Sequence, residues 1–265
     1  MNIFKLALVL TCTLPLSAGA AVSTVHKDFK AGAGTTLSVS SINGDIYVST
    51  GAAGAVSADI TYDAEKCEVT AGTRGKTVYF EAKNPKAWKI FSFGSDKEAC
   101  AKFVVKAPAG MEVNLVSVSG EVTAERLGGP VTGKTVSGDV KISGAGALSL
   151  TTVSGSINVS DAAGKMRFHT TSGDVSGVLR SSEDLEAHTI SGRIALELLN
   201  TPLKGAFSLD TVSGDLELTF PKGAKASASF HSVSGEQKNN IINDPAAAFK
   251  ITAKTTSGGL TINAK

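Results

Sequence analysis

Residues 135–140 read Thr-Val-Ser-Gly-Asp-Val, and residues 211–216 repeat them as Thr-Val-Ser-Gly-Asp-Leu. The Ser-Gly step at their centre returns along the chain as Ser119-Gly120, Ser137-Gly138, Ser154-Gly155, Ser172-Gly173, Ser191-Gly192, Ser213-Gly214, Ser234-Gly235 and Ser257-Gly258, with Asn43-Gly44 as a variant. From Gly120 onward its glycines stand 17 to 23 residues apart. A short motif recurring at such intervals marks units that stack on one another.

Working outward from each glycine, the second residue after it is apolar in eight of nine copies: Ile46, Val122, Val140, Ile157, Val175, Ile194, Leu216 and Leu260, with Gln237 the exception. Apolar pairs also stand five and seven residues before the glycine, as in Leu37 with Val39, Leu148 with Leu150 and Phe207 with Leu209. This is strand alternation on both sides of the motif, but of opposite parity. A strand cannot change its buried face without an extra residue, so each repeat must bend between the two halves. At the bend stands Ser41, Ser117, Thr135, Thr152, Thr170, Thr189, Thr211, Ser232 or Thr255, a hydroxyl able to bond backbone groups that leave the ladder. The glycine supplies a left-handed or closely approached backbone position.

No single repeat buries its own apolar face, whereas coils stacked about 4.8 Å apart share a core and pair their backbones. The sequence therefore predicts an all-β fold, a parallel β-solenoid. Its default hand is right-handed, as a right-handed β-helix, because parallel crossovers take that hand. A propeller blade needs about 40 residues and a leucine-rich repeat needs its own consensus, and neither fits. Residues 51–110 interrupt the motif and read as a β insertion that enlarges or caps the first coils. It contains the strand-like runs Thr77 to Ala82 and Ile90 to Phe93 and the single tryptophan, Trp88.

Composition agrees, with 28 glycines, 42% hydrophobic and only 6% aromatic residues, as suits many short strands separated by turns. The formal charge of +2 arises from 26 basic and 24 acidic residues dispersed along the chain. That leaves no field to attract nucleic acid. Lys5, the apolar run Leu6 to Leu16 and the small residues Ala18, Gly19 and Ala20 read as a secretory signal peptide over residues 1–20. Residues 21–265 are then the mature solenoid domain, exported to the periplasm or beyond, with no stretch long enough for a transmembrane helix. Two cysteines remain in it, Cys67 and Cys100, and an oxidising destination favours a disulfide between them. Closing a loop of about 34 residues stabilises by roughly 3–4 kcal/mol on the chain-entropy estimate.

The chain resembles a family of bacterial exported β-solenoid proteins known as putative adhesins, and the related head domain of autotransporter adhesins. The resemblance rests on the hexapeptides at 135–140 and 211–216 and on the Pro-Lys-Gly turn at 221–223, and it spans residues 30 to 265. It implies a stacked β fold and supplies no catalytic residues; an adhesin-like binding role toward a protein or a surface glycan is what remains once no reaction is indicated.

Two aligned columns are the candidate chemistry. Four residues before each glycine stand Ser40, Val116, Lys134, Thr151, His169, His188, Asp210, His231 and Lys254. If successive motifs stack, His169, His188, Asp210 and His231 form a ladder on four adjacent coils, and imidazole with carboxylate is a transition-metal ligand set. The competing reading is an outward polar position, as Lys134, Thr151 and Lys254 suggest. Directly after the glycine stand Asp45, Glu121, Asp139, Ser156, Asp174, Arg193, Asp215, Glu236 and Gly259. Stacked carboxylates suit calcium, or an acid and base pair for glycan cleavage, but Gly-Asp is also ordinary turn chemistry. The leading expectation is a non-enzymatic binding or scaffold protein at the cell envelope.

Overall fold

The computed structural model describes residues 22–83 and 100–265. The signal peptide expected over residues 1–20, Trp88 and the run Ile90 to Phe93 lie outside the described residues. Those described form 24 β-strands and no helix, arranged as two sheets of twelve strands.

Each repeat gives one strand to each sheet. In the repeat around Gly138, β10 (Val131–Ser137) lies in one sheet and β11 (Val140–Ser143) in the other. β10 is parallel to β8 (Glu112–Ser119) and β12 (Leu148–Ser154), while β11 is parallel to β9 (Val122–Glu125) and β13 (Ile157–Ala163). Equivalent positions stand opposite one another, so that Thr135 faces Ser117 on one side and Thr152 on the other. The result is a β-solenoid of stacked coils with the core between its two sheets. Leu148 and Leu150 from one sheet and Ile157 and Val159 from the other are buried in it. Toward the last coils the core turns aromatic, with the rings of Phe207, Phe220 and Phe249 centred 4.8–6.2 Å apart. Each such ring contributes roughly 2–3 kcal/mol by leaving water.

The change of parity is resolved by one residue. Along β10 the pairing runs from Thr135 opposite Thr152 directly to Ser137 opposite Ser154, and Val136 drops out of the register. That is the extra residue a change of buried face demands. The bend hydroxyl is thus the last inward residue of the first strand, and the switch comes one residue later.

Residues 51–110 do more than cap. β6 (Thr77–Lys83) runs parallel to β2 (Thr36–Asn43), and β7 (Ala101–Ala107) parallel to β3 (Ile46–Thr50), which makes one additional coil without a Ser-Gly step. Beyond it the direction reverses. β4 (Ala55–Asp63) is antiparallel to β7, β1 (Val22–Lys30) is antiparallel to β4, and β5 (Glu68–Arg74) is antiparallel to β6. These three strands close the N-terminal end of the stack. The predicted Cys67–Cys100 disulfide is present, with a Cα–Cα separation of 5.8 Å, and both cysteines are buried.

The expectation that motifs stack in sequence order fails at the other end. β18 (Gly205–Ser213) pairs with β23 (Phe249–Ser257), and β19 (Leu216–Phe220) with β24 (Leu260–Ala264). β20 (Lys225–Ser234) and β21 (Gln237–Asn239) are carried outside them and form the last rung. The physical reason lies in the inward residues. The Ser257-Gly258 coil buries Phe249, Ile251, Leu260 and Ile262, which suits an interior rung, whereas the Ser234-Gly235 coil has the exposed polar Gln237 where its relatives are apolar. An end rung is covered on one side only and tolerates that residue.

Candidate functional site

The recurring Thr-x-Ser-Gly-Asp corner has a specific backbone chemistry. A Cβ on Gly138 would lie 2.1 Å from the carbonyl oxygen of Gly120, one on Gly155 2.3 Å from that of Gly138, and one on Gly192 2.1 Å from that of Gly173. Successive corners therefore touch through their glycines, and close approach, more than φ alone, fixes the residue. At this contact the ladder leaves groups over. At four corners the amide after the glycine is taken up by the aspartate of the neighbouring coil: Glu121 N–H donates to Asp45 Oδ1 (2.9 Å), Ser156 to Asp139 (2.9 Å), Arg193 to Asp174 (2.8 Å) and Gly259 to Asp215 (2.7 Å). The glycine carbonyls face the bend hydroxyls. Thr189, Thr211, Thr255 and Ser232 donate to Gly173, Gly192, Gly214 and Gly258 over 3.2–3.5 Å. In Ser41, Ser117, Thr135, Thr152 and Thr170 the hydroxyl is buried without a partner in hydrogen-bond range.

The column after the glycine is accordingly a set of backbone caps in Asp45, Asp139, Asp174 and Asp215, each of which spends one oxygen on an amide. Glu121 departs from this. It binds Lys141 Nζ at 2.8 Å and receives the Thr123 hydroxyl at 2.8 Å, and these bonds, Lys141 first, hold its carboxyl below the ordinary glutamate value.

The histidine column is brought together only in part. His169 on β14 (Met166–Ser172) stands opposite His188 on β16 (Asp184–Ser191), and His188 opposite Asp210 on β18. The two imidazole rings stack with centroids 4.9 Å apart and planes 15° from parallel. His231 does not join them. Lys254 is opposite Asp210, and His231 is opposite Lys254, because the Ser257-Gly258 coil intervenes. The expectation of four successive rungs is corrected to three. Among the described residues, no three His, Cys, Asp or Glu side chains are placed to close around one ion as they stand.

Two features escaped the sequence reading. The first is the residue that drops out of register at each corner, two before the glycine. Val118, Val136, Val153, Ile190 and Val212 occupy it on five of six consecutive coils and are 44–47% exposed. Thr171 holds the remaining place. These side chains form a ridge along one edge of the solenoid. The signal was present, since an apolar residue of even parity before the motif must point outward if the odd ones point in.

The second is a cluster on the N-terminal cap. His26 of β1 meets Asp59 of β4 through Nδ1 at 2.6 Å and Asp28 through Nε2 at 3.1 Å. The Asp59 bond, followed by the Asp28 charge, raises the His26 pKa above its ordinary 6.5. Sequence alone gave no hint, because β1 and β4 pair across an insertion that lacks the repeat.

Known proteins bear on the fold. No curated protein matches the chain. A crystal structure described as a "putative adhesin" from Bacteroides fragilis superposes with a TM-score of 0.55 at 14% identity, covering 92% of this chain and 97% of that one. Another so described, from Parabacteroides distasonis, gives a TM-score of 0.52 at 10% identity over 91% of this chain and 98% of its own. At such identities the likeness is one of architecture. The sequence itself matches the model of the Toastrack DUF4097 family over residues 34–263, the whole motif-bearing stack, and the chain belongs to that family.

Proposed function

We propose that this is an exported binding or scaffold protein of the cell envelope, which presents the long edge of its solenoid to a partner and catalyses no reaction. The observation that carries the reading is the exposed ridge Val118, Val136, Val153, Ile190 and Val212. Singly exposed apolar residues are normal on any surface, but five of them aligned on six consecutive coils, with Thr171 in the remaining place, mark contact with another molecule. At about 4.8 Å per rung the six coils span roughly 24 Å, the reach of an extended protein segment or a short glycan. The Ser column beside the ridge adds hydroxyls that hydrogen-bond such a partner. Structural neighbours whose names include "adhesin" are in keeping with this role.

Export rests on residues 1–20 as a secretory leader and on the buried disulfide, which suits an oxidising compartment such as the periplasm or the exterior. No helix among the described residues is long and apolar enough to cross a membrane.

The test combines sedimentation with an activity screen. The labelled protein is expected to co-sediment with isolated cell envelope, and Val153→Glu with Ile190→Glu to abolish this while leaving the circular-dichroism spectrum unchanged. A panel of envelope polysaccharides should yield no shortened product. Release of product, or undiminished binding by the double variant, overturns the reading.

A further inference from the structure

We propose that His169, His188 and Asp210 form a site for one divalent transition-metal ion of the Cu2+, Ni2+ or Zn2+ class on the outer face of the solenoid, with His188 as its central ligand.

The topology supplies the proximity. The three residues occupy one register on the adjacent parallel strands β14, β16 and β18, so their side chains leave the same face of the sheet at rungs about 4.8 Å apart. The imidazole rings already lie 4.9 Å apart, nearly parallel. Neither ring makes a hydrogen bond to a described residue, and both stand on the outer face, His169 exposed and His188 half-buried. Their nitrogens are therefore uncommitted, unlike those of His26, which two aspartates occupy. Asp210 accepts the Ser208 hydroxyl at Oδ2 over 3.3 Å, which leaves its other oxygen outside that bond.

Ligand chemistry sets the class of ion. Imidazole nitrogen with one carboxylate is a borderline donor set that prefers copper, nickel and zinc, whereas calcium and magnesium require shells of oxygen. Metal–nitrogen bonds are about 2.0–2.1 Å long, so stacked rings must swing toward each other about their side-chain torsions before sharing an ion. Outer-face side chains are free to make that rotation. Two imidazoles and a carboxylate leave the remaining coordination positions to water, as in open rather than closed sites. Charge delimits the site along the stack. Lys254 follows Asp210 on the next rung and repels a cation, which separates His231 from the cluster, and Thr151 precedes His169 on the other side.

Calorimetric titration of the purified oxidised protein with Cu2+, Ni2+ and Zn2+ separately tests this. One ion should bind per chain. His188→Ala should weaken binding by about tenfold or more, with smaller losses for His169→Ala and Asp210→Ala. His231→Ala and His26→Ala should bind as the wild type does. The electron paramagnetic resonance of the Cu2+ complex should show two imidazole nitrogens, falling to one in His169→Ala. The proposal is overturned if none of the three ions binds, if His188→Ala binds undiminished, or if His26→Ala or His231→Ala causes the principal loss.

Discussion

The two ends of the stack face the same difficulty and meet it differently. A solenoid offers open strand edges and uncovered core at both ends, and each needs protection. At the N-terminal end β1, β4 and β5 run against the grain of the coils, and the Cys67–Cys100 disulfide fastens the link between β4 and β5 to the start of β7. At the other end no strand reverses. The coil β20–β21 is displaced outward past β23–β24 and serves as the last rung, with Gln237, Lys238 and Val233 open to solvent and the short strand β22 (Ile242–Asn243) covering only the start of β20. One end is a cross-linked lid, the other an ordinary rung made polar. The middle, where every coil is held from both sides, sets the scale against which both ends can be measured.

The largest effect is expected from breaking the glycine contact in the middle and at the polar end. A Cβ meets the neighbouring glycine carbonyl oxygen at 2.1 Å at Gly192 and at 2.0 Å at Gly235, so the local clash is nearly the same. Its consequence differs. Gly192 lies between Gly173 and Gly214 and cannot move without parting two coils, whereas the last rung can lift. Gly192→Ala should cost about 4 kcal/mol or prevent folding, and Gly235→Ala about 1–2 kcal/mol, measured by urea denaturation. Equal losses would show that the last rung is as tightly held as the centre.

The lid is sharpened next. Replacing both Cys67 and Cys100 by Ala should lower stability by about 3 kcal/mol. The loss should concentrate in faster amide exchange of β4, β5 and β7, with β20 and β23 unaffected. Exchange that accelerates uniformly through all coils would mean that the stack unfolds as one unit and that the lid governs the whole.

How much of this could be read from the chain follows the same division. Where the motif repeats, position by position, the sequence specified nearly everything: Leu148, Leu150, Ile157 and Val159 face inward as their parity required, and the glycines touch as close approach required. The ends were less legible. β1 and β4 pair antiparallel without any motif, and the His26–Asp59 contact across them follows from a register that no local pattern encodes. Stack order is not encoded in the spacing, because intervals of 17 to 23 residues give no reason to place one coil outside another. Gln237 was the clue, a polar residue that only an end rung accommodates. That one displacement removed His231 from the histidine column and inserted Lys254. The rest of the site stayed legible because His169, His188 and Asp210 lie where consecutive repeats do stack in order.

The smallest expected effect concerns pH and belongs to the lid alone. His26 is bonded to Asp59 on the adjacent strand and faces Asp28 on its own, and these carboxylates raise its pKa above 6.5 in the folded protein. Folding thus favours the protonated imidazole. The resulting stabilisation is complete below the unfolded value and is lost as pH rises through the higher folded value. The cluster is exposed to solvent, so screening keeps the effect slight and confined to the attachment of β1. Amide exchange in β1, corrected for its intrinsic pH dependence, should be slower near about pH 5.5 than near about pH 8, and Asp59→Asn should flatten the difference. If the difference persists in Asp59→Asn, the pH dependence of the lid arises from charges other than this pair.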